Sequence, residues 1–119
     1  MSYSIEAVLV AWLRDEGYAA YTDVPANRPE RFVTVERQGG GTENMVDLPS
    51  VTVQTWGRTR AEAESDAQAV KRLVEGASAA GTLPDGIYTM RTNAGPYLFD
   101  DPDSRERRYQ TLFDISCLM

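Results

Sequence analysis

Residues 51–60 read Val-Thr-Val-Gln-Thr-Trp-Gly-Arg-Thr-Arg, and they join the pattern of a strand to the start of a helix. Apolar and polar side chains alternate up to Trp56, which predicts a strand that closes there. Thr59 followed by Glu62 fits a capping box, in which each side chain satisfies a free backbone donor at a helix start. Small and apolar residues then follow at helical spacing, and Gly76 is expected to end the helix. These residues are Ala63, Ala67, Val70, Leu73 and Val74.

Another helix is predicted near the amino terminus, beginning after Ser4. Glu6 suits its first turn, because the helix dipole favours an anion there, and Gly17 is placed to end it. The side chains at spacings of three and four that form its apolar face are Ile5, Val8, Leu9, Trp12 and Leu13. The short aromatic stretch Tyr18–Thr22 then predicts an edge strand, which Pro25 breaks.

A long β-hairpin is predicted between residues 31 and 56. Arg31–Gln38 has the partial alternation of a strand with one wet face. Gly39–Gly41 is expected to reverse or loosen the chain, and the polar segment Thr42–Pro49 is expected to form a long tip. Pairing resumes at Val51, so this hairpin should project from the domain.

The carboxyl-terminal part predicts two more strands. Ile87–Asn93 follows the turn signal Pro84-Asp85-Gly86, and Tyr109–Cys117 alternates more clearly than any other stretch of the chain. The order of helix, two or three strands, helix and two strands predicts an α+β domain. We expect a mainly antiparallel sheet of four to five strands with both helices packed on one face, and a single domain over residues 1–119.

Composition narrows the classes of function. The chain has 18 acidic and 12 basic residues and a net charge of -6, which disfavours a nucleic-acid binder with a basic face. It contains no histidine, so nucleophile pairs built on histidine and most transition-metal sites are excluded. Cys117 is the only cysteine and suits an intracellular protein without internal disulfides. We expect no enzyme activity, no cofactor and no membrane-spanning segment.

The turn Asp100–Ser104 has two interpretations. Its three carboxylates are the kind of oxygen ligands that calcium prefers, but their spacing does not match a calcium loop, and Pro102 removes a backbone donor. A solvated turn that pairs with nearby arginines is the simpler alternative. We therefore expect no specific metal site.

Aromatic and charged residues in turns are the candidates for contacts with other proteins. Trp56 is expected to be a core residue, with an interface anchor as the alternative. Tyr97 and Phe99, within a loop of turn formers, must bury either on their own domain or on a neighbour. The predicted interface set is Arg37, Glu43, Asn44, Met45, Arg58, Tyr97, Phe99, Arg105 and Arg108.

Together these segments resemble the tail terminator or tail completion proteins of long-tailed bacteriophages, particularly those of actinobacterial phages and prophages. The resemblance covers most of the chain. It rests on the segment from Arg28-Pro29 to Gly39-Gly40, the strand end Val51–Thr59 with its alanine-rich helix, and the segment from Gly95-Pro96 to Arg108-Tyr109. The first helix matches only in pattern.

The resemblance implies a ring-forming subunit, typically a hexamer, at the head-proximal end of the tail tube. Such a ring stops polymerisation of the tail tube protein and offers a docking surface for a head-tail connector or stopper protein, while DNA passes through its channel without sequence-specific binding. By analogy, the hairpin tip would reach the tube or an adjacent subunit, and the segment from Gly95 to Arg108 would contribute to a ring or connector contact. The protein would be assembled in the host cytoplasm and located in the virion tail.

Two alternatives remain from the sequence. Another connector or stopper subunit would share the ring but bind partners on the portal side. A small ligand-binding or enzymatic α+β domain would instead show a concave apolar pocket with converging polar groups.

Overall fold

Seven elements follow one another in the computed structural model, which describes residues 3–103 and 105–119. They are α1 (Ile5–Asp15), β1 (Ala20–Tyr21), β2 (Phe32–Glu43), β3 (Val46–Gly57), α2 (Arg60–Ala80), β4 (Ile87–Leu98) and β5 (Arg107–Cys117). The strands form one sheet in the order β1-β2-β3-β5-β4, in which β1 is parallel to β2 and the other neighbours are antiparallel. The predicted α+β fold with a mainly antiparallel sheet is confirmed. The predicted edge strand is shorter than expected, and Ser104 of the acidic turn lies outside the described residues.

The capping box that begins α2 forms as predicted, with one difference. The Thr59 hydroxyl accepts the Glu62 N–H at 3.2 Å. The Glu62 carboxylate accepts the N–H of Arg58, also at 3.2 Å, instead of that of the capping residue itself. Both side chains therefore satisfy backbone donors at the joint between β3 and α2.

The predicted end of α2 is wrong, because the helix continues through Gly76 to Ala80. A glycine inside a helix costs only about 1 kcal/mol relative to alanine, and the alanine-rich turn that follows favours helix. The helix ends where Gly81 adopts a left-handed conformation, with φ 71°. That conformation is the usual helix end that glycine provides.

The hydrophobic core lies between the two helices and one face of the sheet. Alternate residues of each long strand point toward the helices, as expected for a strand period of two. The principal buried side chains are Leu9 and Leu13 of α1, Val70 and Val74 of α2, and Val33, Val35, Val51, Val53, Phe113 and Ile115 of the sheet.

The predicted reversal at Gly39–Gly41 is wrong, and so is the long tip. Strands β2 and β3 pair from Phe32–Trp56 as far as Glu43–Val46, with a bulge between Arg37 and Gly39. The chain reverses in the two-residue turn Asn44-Met45, where both φ angles are positive at 52° and 67°. Glycine is needed at residue 40 for a different reason, because a Cβ there would collide with the carbonyl of Leu48 on β3.

Pro49 is likewise inside a strand and not in a hairpin tip. It pairs with Gly40 of β2 and is buried. The ladder between β3 and β5 has pairs at Asp47–Cys117 and Ser50–Asp114 but none between them. Proline has no N–H to donate, which accounts for this local interruption.

Strand β4 extends five residues beyond the predicted end at Asn93 and reaches Leu98. The segment around Gly95 and Pro96 stays in the sheet through register shifts against β5. Tyr97 therefore pairs with Gln110 in a strand and does not lie in the predicted loop. Neither described helix is both long and apolar enough to cross a membrane.

Candidate interaction surfaces

The face of the sheet opposite the helices carries a row of hydrogen-bonded polar side chains. Trp56 Nε1 donates to Thr34 Oγ1 at 3.0 Å, and Thr34 Oγ1 donates to Gln54 Oε1 at 2.6 Å. Gln54 Nε2 donates to Gln110 Oε1 at 2.9 Å, and Gln110 Nε2 donates to the Tyr97 hydroxyl at 2.6 Å. The row crosses β2, β3, β5 and β4, so this face is both polar and internally satisfied.

Trp56 lies on this second face and is only 2% exposed. Its ring stacks on Phe32, with centroids 5.2 Å apart and an interplanar angle of 9°. The guanidinium carbons of Arg28 and Arg108 lie 5.6 and 4.8 Å from its ring centroid. The prediction that Trp56 is a core residue is confirmed, although the side chains over its ring are those of Arg28, from the loop before β2, and Arg108, from the start of β5, and not those of the helices.

The loop before β2, the connection after β4 and the start of β5 provide this cover. Arg28 of the first loop forms an ion pair with Glu106 of the second at 3.0 Å. Arg108 lies between Trp56 and Phe99, with its guanidinium carbon 4.6 Å from the centroid of the Phe99 ring, and its Nε donates to the Phe99 carbonyl at 2.7 Å. The loops are therefore joined to each other and to the sheet at the end where β3 meets α2.

Five of the predicted interface residues lie at this end, and we name four of them the base patch: Tyr97, Phe99, Arg105 and Arg108. The rings of Tyr97 and Phe99 meet edge to face with centroids 6.3 Å apart. They remain 38% and 45% exposed, so neither ring is buried by its own domain. Arg58 lies at the same end of β3 and pairs with Glu30 at 3.3 Å and Glu62 at 3.7 Å.

The tip patch, which we define as Glu43, Asn44 and Met45, lies at the other end of the sheet. Met45 is 82% exposed, more than any other large apolar side chain among the described residues. Trp56 lies ten positions after Val46 in β3, a distance of about 33 Å at 3.3 Å per residue. The longest dimension of the molecule is 43 Å.

Arg37 belongs to neither patch. Its guanidinium donates to both carboxylate oxygens of Asp47, at 2.6 and 2.8 Å, and its Nε donates to the Gly39 carbonyl at 3.0 Å. Hydrogen bonding by Arg37 lowers the pKa of Asp47, and the same bonds raise the pKa of Arg37. The Arg37 N–H donates to the Glu6 carboxylate at 2.8 Å, which also ties the strand to α1. Arg37 is therefore occupied within its own domain.

Exposed apolar side chains also collect at the two ends. At the base end they are Val24, Tyr97, Leu98 and Phe99, and at the tip end they are Met45, Leu48, Tyr88, Leu118 and Met119. Sequence reasoning missed six of these side chains, namely Val24, Leu48, Tyr88, Leu98, Leu118 and Met119. The alternation of β4 gave a signal for Tyr88, but the register that places it beside the end of β5 is a long-range property.

The acidic turn forms internal contacts. Asp100 pairs with Arg107 at 3.0 Å, and this hydrogen bonding lowers the pKa of Asp100. The Asp101 carboxylate accepts the N–H of Asp103 at 2.9 Å. Within residues 3–103 and 105–119, no group of three or more acidic or cysteine side chains has the arrangement of a metal site.

Two depressions on the described surface are shallow. One, of about 490 Å³, lies on the polar sheet face around Ser50, Arg91 and Asp114. The other, of about 480 Å³, lies beside Arg14 of α1 and Tyr21. Both are open to solvent, so neither has the enclosed apolar form that a small-molecule site usually has.

No protein-family model matches the chain, and no curated protein matches its sequence.

Proposed function

We propose that this chain is a structural virion protein of the tail terminator type. Identical subunits form a ring at the head-proximal end of the tail tube, a hexamer by analogy with the family that the chain resembles. The observation that carries the proposal is the collection of exposed apolar side chains at two opposite ends of one sheet. A subunit with two different contact surfaces is suited to head-to-tail association, which gives a ring when the rotation between neighbours closes.

The sheet between the two ends is suited to hold them in a fixed relation. Its core face is buried against both helices, and its other face is linked by the hydrogen-bonded row from Trp56 to Tyr97. A contact surface on such a scaffold loses little conformational entropy when it binds. One end would then meet the tail tube protein or an adjacent subunit, and the other a ring neighbour or the head-tail connector.

The excess of acidic residues in the chain suits a subunit whose ring has a channel for DNA. With a net charge of -6, the subunit is not expected to neutralise many phosphates, so DNA would move through the channel without being held. The subunit would be assembled in the host cytoplasm and remain in the virion tail.

Tube growth in vitro tests the proposal. Tail tube protein from the same phage or prophage is polymerised with and without this chain, and tube lengths and ends are measured by electron microscopy. We expect tubes to stop growing and to carry a ring at one end. Tubes that grow equally long and remain bare contradict the proposal. Selective binding to a portal-side protein without any effect on tubes would favour a connector or stopper role.

A further inference from the structure

Met45 is an unusual residue for its position. It is 82% exposed at the hairpin tip and has a φ of 67°, a left-handed conformation that L side chains rarely adopt. Glycine is the residue that such two-residue turns favour. Here the chain has a large apolar side chain at a position where the backbone conformation costs stability, and most of that side chain is exposed. Strained residues of this kind are often found at functional sites.

The hairpin holds Met45 in a defined place. The two strands pair without interruption on the tip side of the bulge, as far as Glu43–Val46. The ion pair between Arg37 and Asp47 fastens the strands where they leave the body of the domain. The tip patch is therefore presented by a rigid element, which favours specific docking.

The base patch has the complementary chemistry. Its exposed Tyr97 and Phe99 rings meet at 78°, and a thioether packs favourably against aromatic rings. Charge is complementary as well, because Glu43 beside Met45 is acidic and Arg105 on the connection after β4 is basic. Neither Glu43 nor Arg105 has an ion-pair partner within the described part of the chain.

We propose that the tip patch of one copy docks on the base patch of the next copy in the ring. Met45 packs against Tyr97 and Phe99, and Glu43 pairs with Arg105. The contact cannot form within one chain, because the two patches lie at opposite ends of the sheet, about 33 Å apart along β3. This inference rests on the proposed ring and identifies the contact that closes it.

Disulfide trapping between two single variants tests the contact. Met45→Cys and Phe99→Cys are mixed at high protein concentration under mild oxidation. A disulfide needs Cα atoms within about 7 Å, so a mixed dimer can form only if the tip of one copy reaches the base of another. We expect the mixed dimer to dominate over either homodimer, and the double variant to form a ladder of covalent oligomers. Homodimers alone, or no cross-link, overturn the proposal.

Cys117 provides an internal control for this experiment. It is buried, and burial raises the pKa of its thiol, so it should not exchange under mild oxidation. Wild-type protein treated in the same way should stay free of disulfide dimers. A Cys117→Ser background must give the same mixed dimer, and its loss in that background overturns the proposal.

Met45→Gly separates association from folding. Glycine accepts the turn conformation, so thermal stability should be equal or higher, while self-association by sedimentation velocity should weaken at least tenfold. Asn44→Gly, in the same turn, keeps Met45 and should associate like wild type. Unchanged association of Met45→Gly overturns the contact. If that variant still caps tubes, the proposed contact is wrong but the terminator role stands. If disulfide trapping gives rings that never cap tubes, the contact stands and the terminator role is wrong.

Discussion

Arg37 and Asp47 form a two-bond ion pair, with N–O distances of 2.6 and 2.8 Å, that joins the two strands in the outer half of the long hairpin. The side chain of Asp47 is 12% exposed and that of Arg37 33%. An ion pair with two parallel hydrogen bonds and partial burial is stronger than an exposed one. The pair explains how a hairpin whose outer half is rich in glycine stays extended.

Removal of this pair should destabilise the fold. Asp47→Ala leaves the guanidinium of Arg37 without its charged partner, and we expect a loss of about 2 kcal/mol in the free energy of unfolding. Urea denaturation measures this loss. Arg91→Ala is the control, because the ion pair of Arg91 with Asp114 is longer, at 3.7 Å, and the Arg91 side chain is largely exposed. Equal effects of the two variants would contradict the assigned role.

The same pair predicts a pH dependence. Hydrogen bonding to Arg37 holds the pKa of Asp47 below its ordinary value of 3.8 in the folded state. The ionised carboxylate therefore stabilises the fold fully above the unfolded-state pKa. This stabilisation is lost as the pH falls from about 5 through the folded-state pKa.

Thermal unfolding of wild type and Asp47→Asn between neutral and acidic pH measures this effect. The difference in melting temperature should be largest near neutral pH and should shrink on acidification. A difference that stays constant down to acidic pH would argue against the pair as its source.

The polar row on the open sheet face should contribute to stability through Gln54. Gln54→Leu keeps much of the side-chain volume but leaves the Thr34 hydroxyl without its acceptor and the Gln110 carbonyl oxygen without its donor. We expect a loss of about 2 kcal/mol in the free energy of unfolding. Gln38→Leu removes an amide that donates to Thr52 from an exposed position, so it should cost less than about 0.5 kcal/mol. A neutral Gln54→Leu would show that the row is incidental.

Arg108 should hold the loop cover over Trp56. Its flat guanidinium lies between the Trp56 and Phe99 rings, and lysine cannot reproduce that stacking. In a Trp12→Phe background, where Trp56 is the only tryptophan, Arg108→Lys should shift the emission of Trp56 to longer wavelength. It should also lower the free energy of unfolding by about 1 kcal/mol. Arg91→Lys, at an exposed site away from the indole, is the control and should leave the emission unchanged. An unchanged emission in Arg108→Lys as well would contradict this role of Arg108.

Local signals in the sequence predicted the elements well. The cap at Thr59 and the strand at Tyr109–Cys117 depend on neighbours in the chain, and both formed as expected, although Glu62 accepts the N–H of Arg58 and not that of Thr59. Burial of Trp56 was also predicted, but the arginines that cover it, Arg28 before β2 and Arg108 in β5, are distant from it in sequence.

Residues that usually break structure were the main source of error. Gly39–Gly41, Pro49, Gly76 and Gly95-Pro96 all lie inside regular elements. Gly40 lies close to β3, and Pro49 lies at a gap in the ladder between β3 and β5. The alanine-rich turn after Gly76 favours helix, and shifts in register between β4 and β5 accommodate Gly95-Pro96. A pattern in the sequence shows the glycine or proline that usually ends an element, but it does not show the neighbouring structure that accommodates that residue.

The candidate surfaces were predicted in part. Met45, Tyr97 and Phe99 were named from turn context, and the structure leaves all three exposed, although Tyr97 lies in a strand. The pairing of Arg37 with Asp47 was not foreseen, because it depends on the hairpin register and the bulge before Gly39. Whether the named residues contact other subunits remains a prediction.

Tail length in particles that lack this protein tests the central proposal most directly. Electron micrographs of particles produced without the gene product should show tubes of variable and excessive length that are not joined to heads. Complementation with the wild-type chain should restore a single tube length. Tubes of normal, fixed length joined to heads in the absence of this protein would contradict the terminator role.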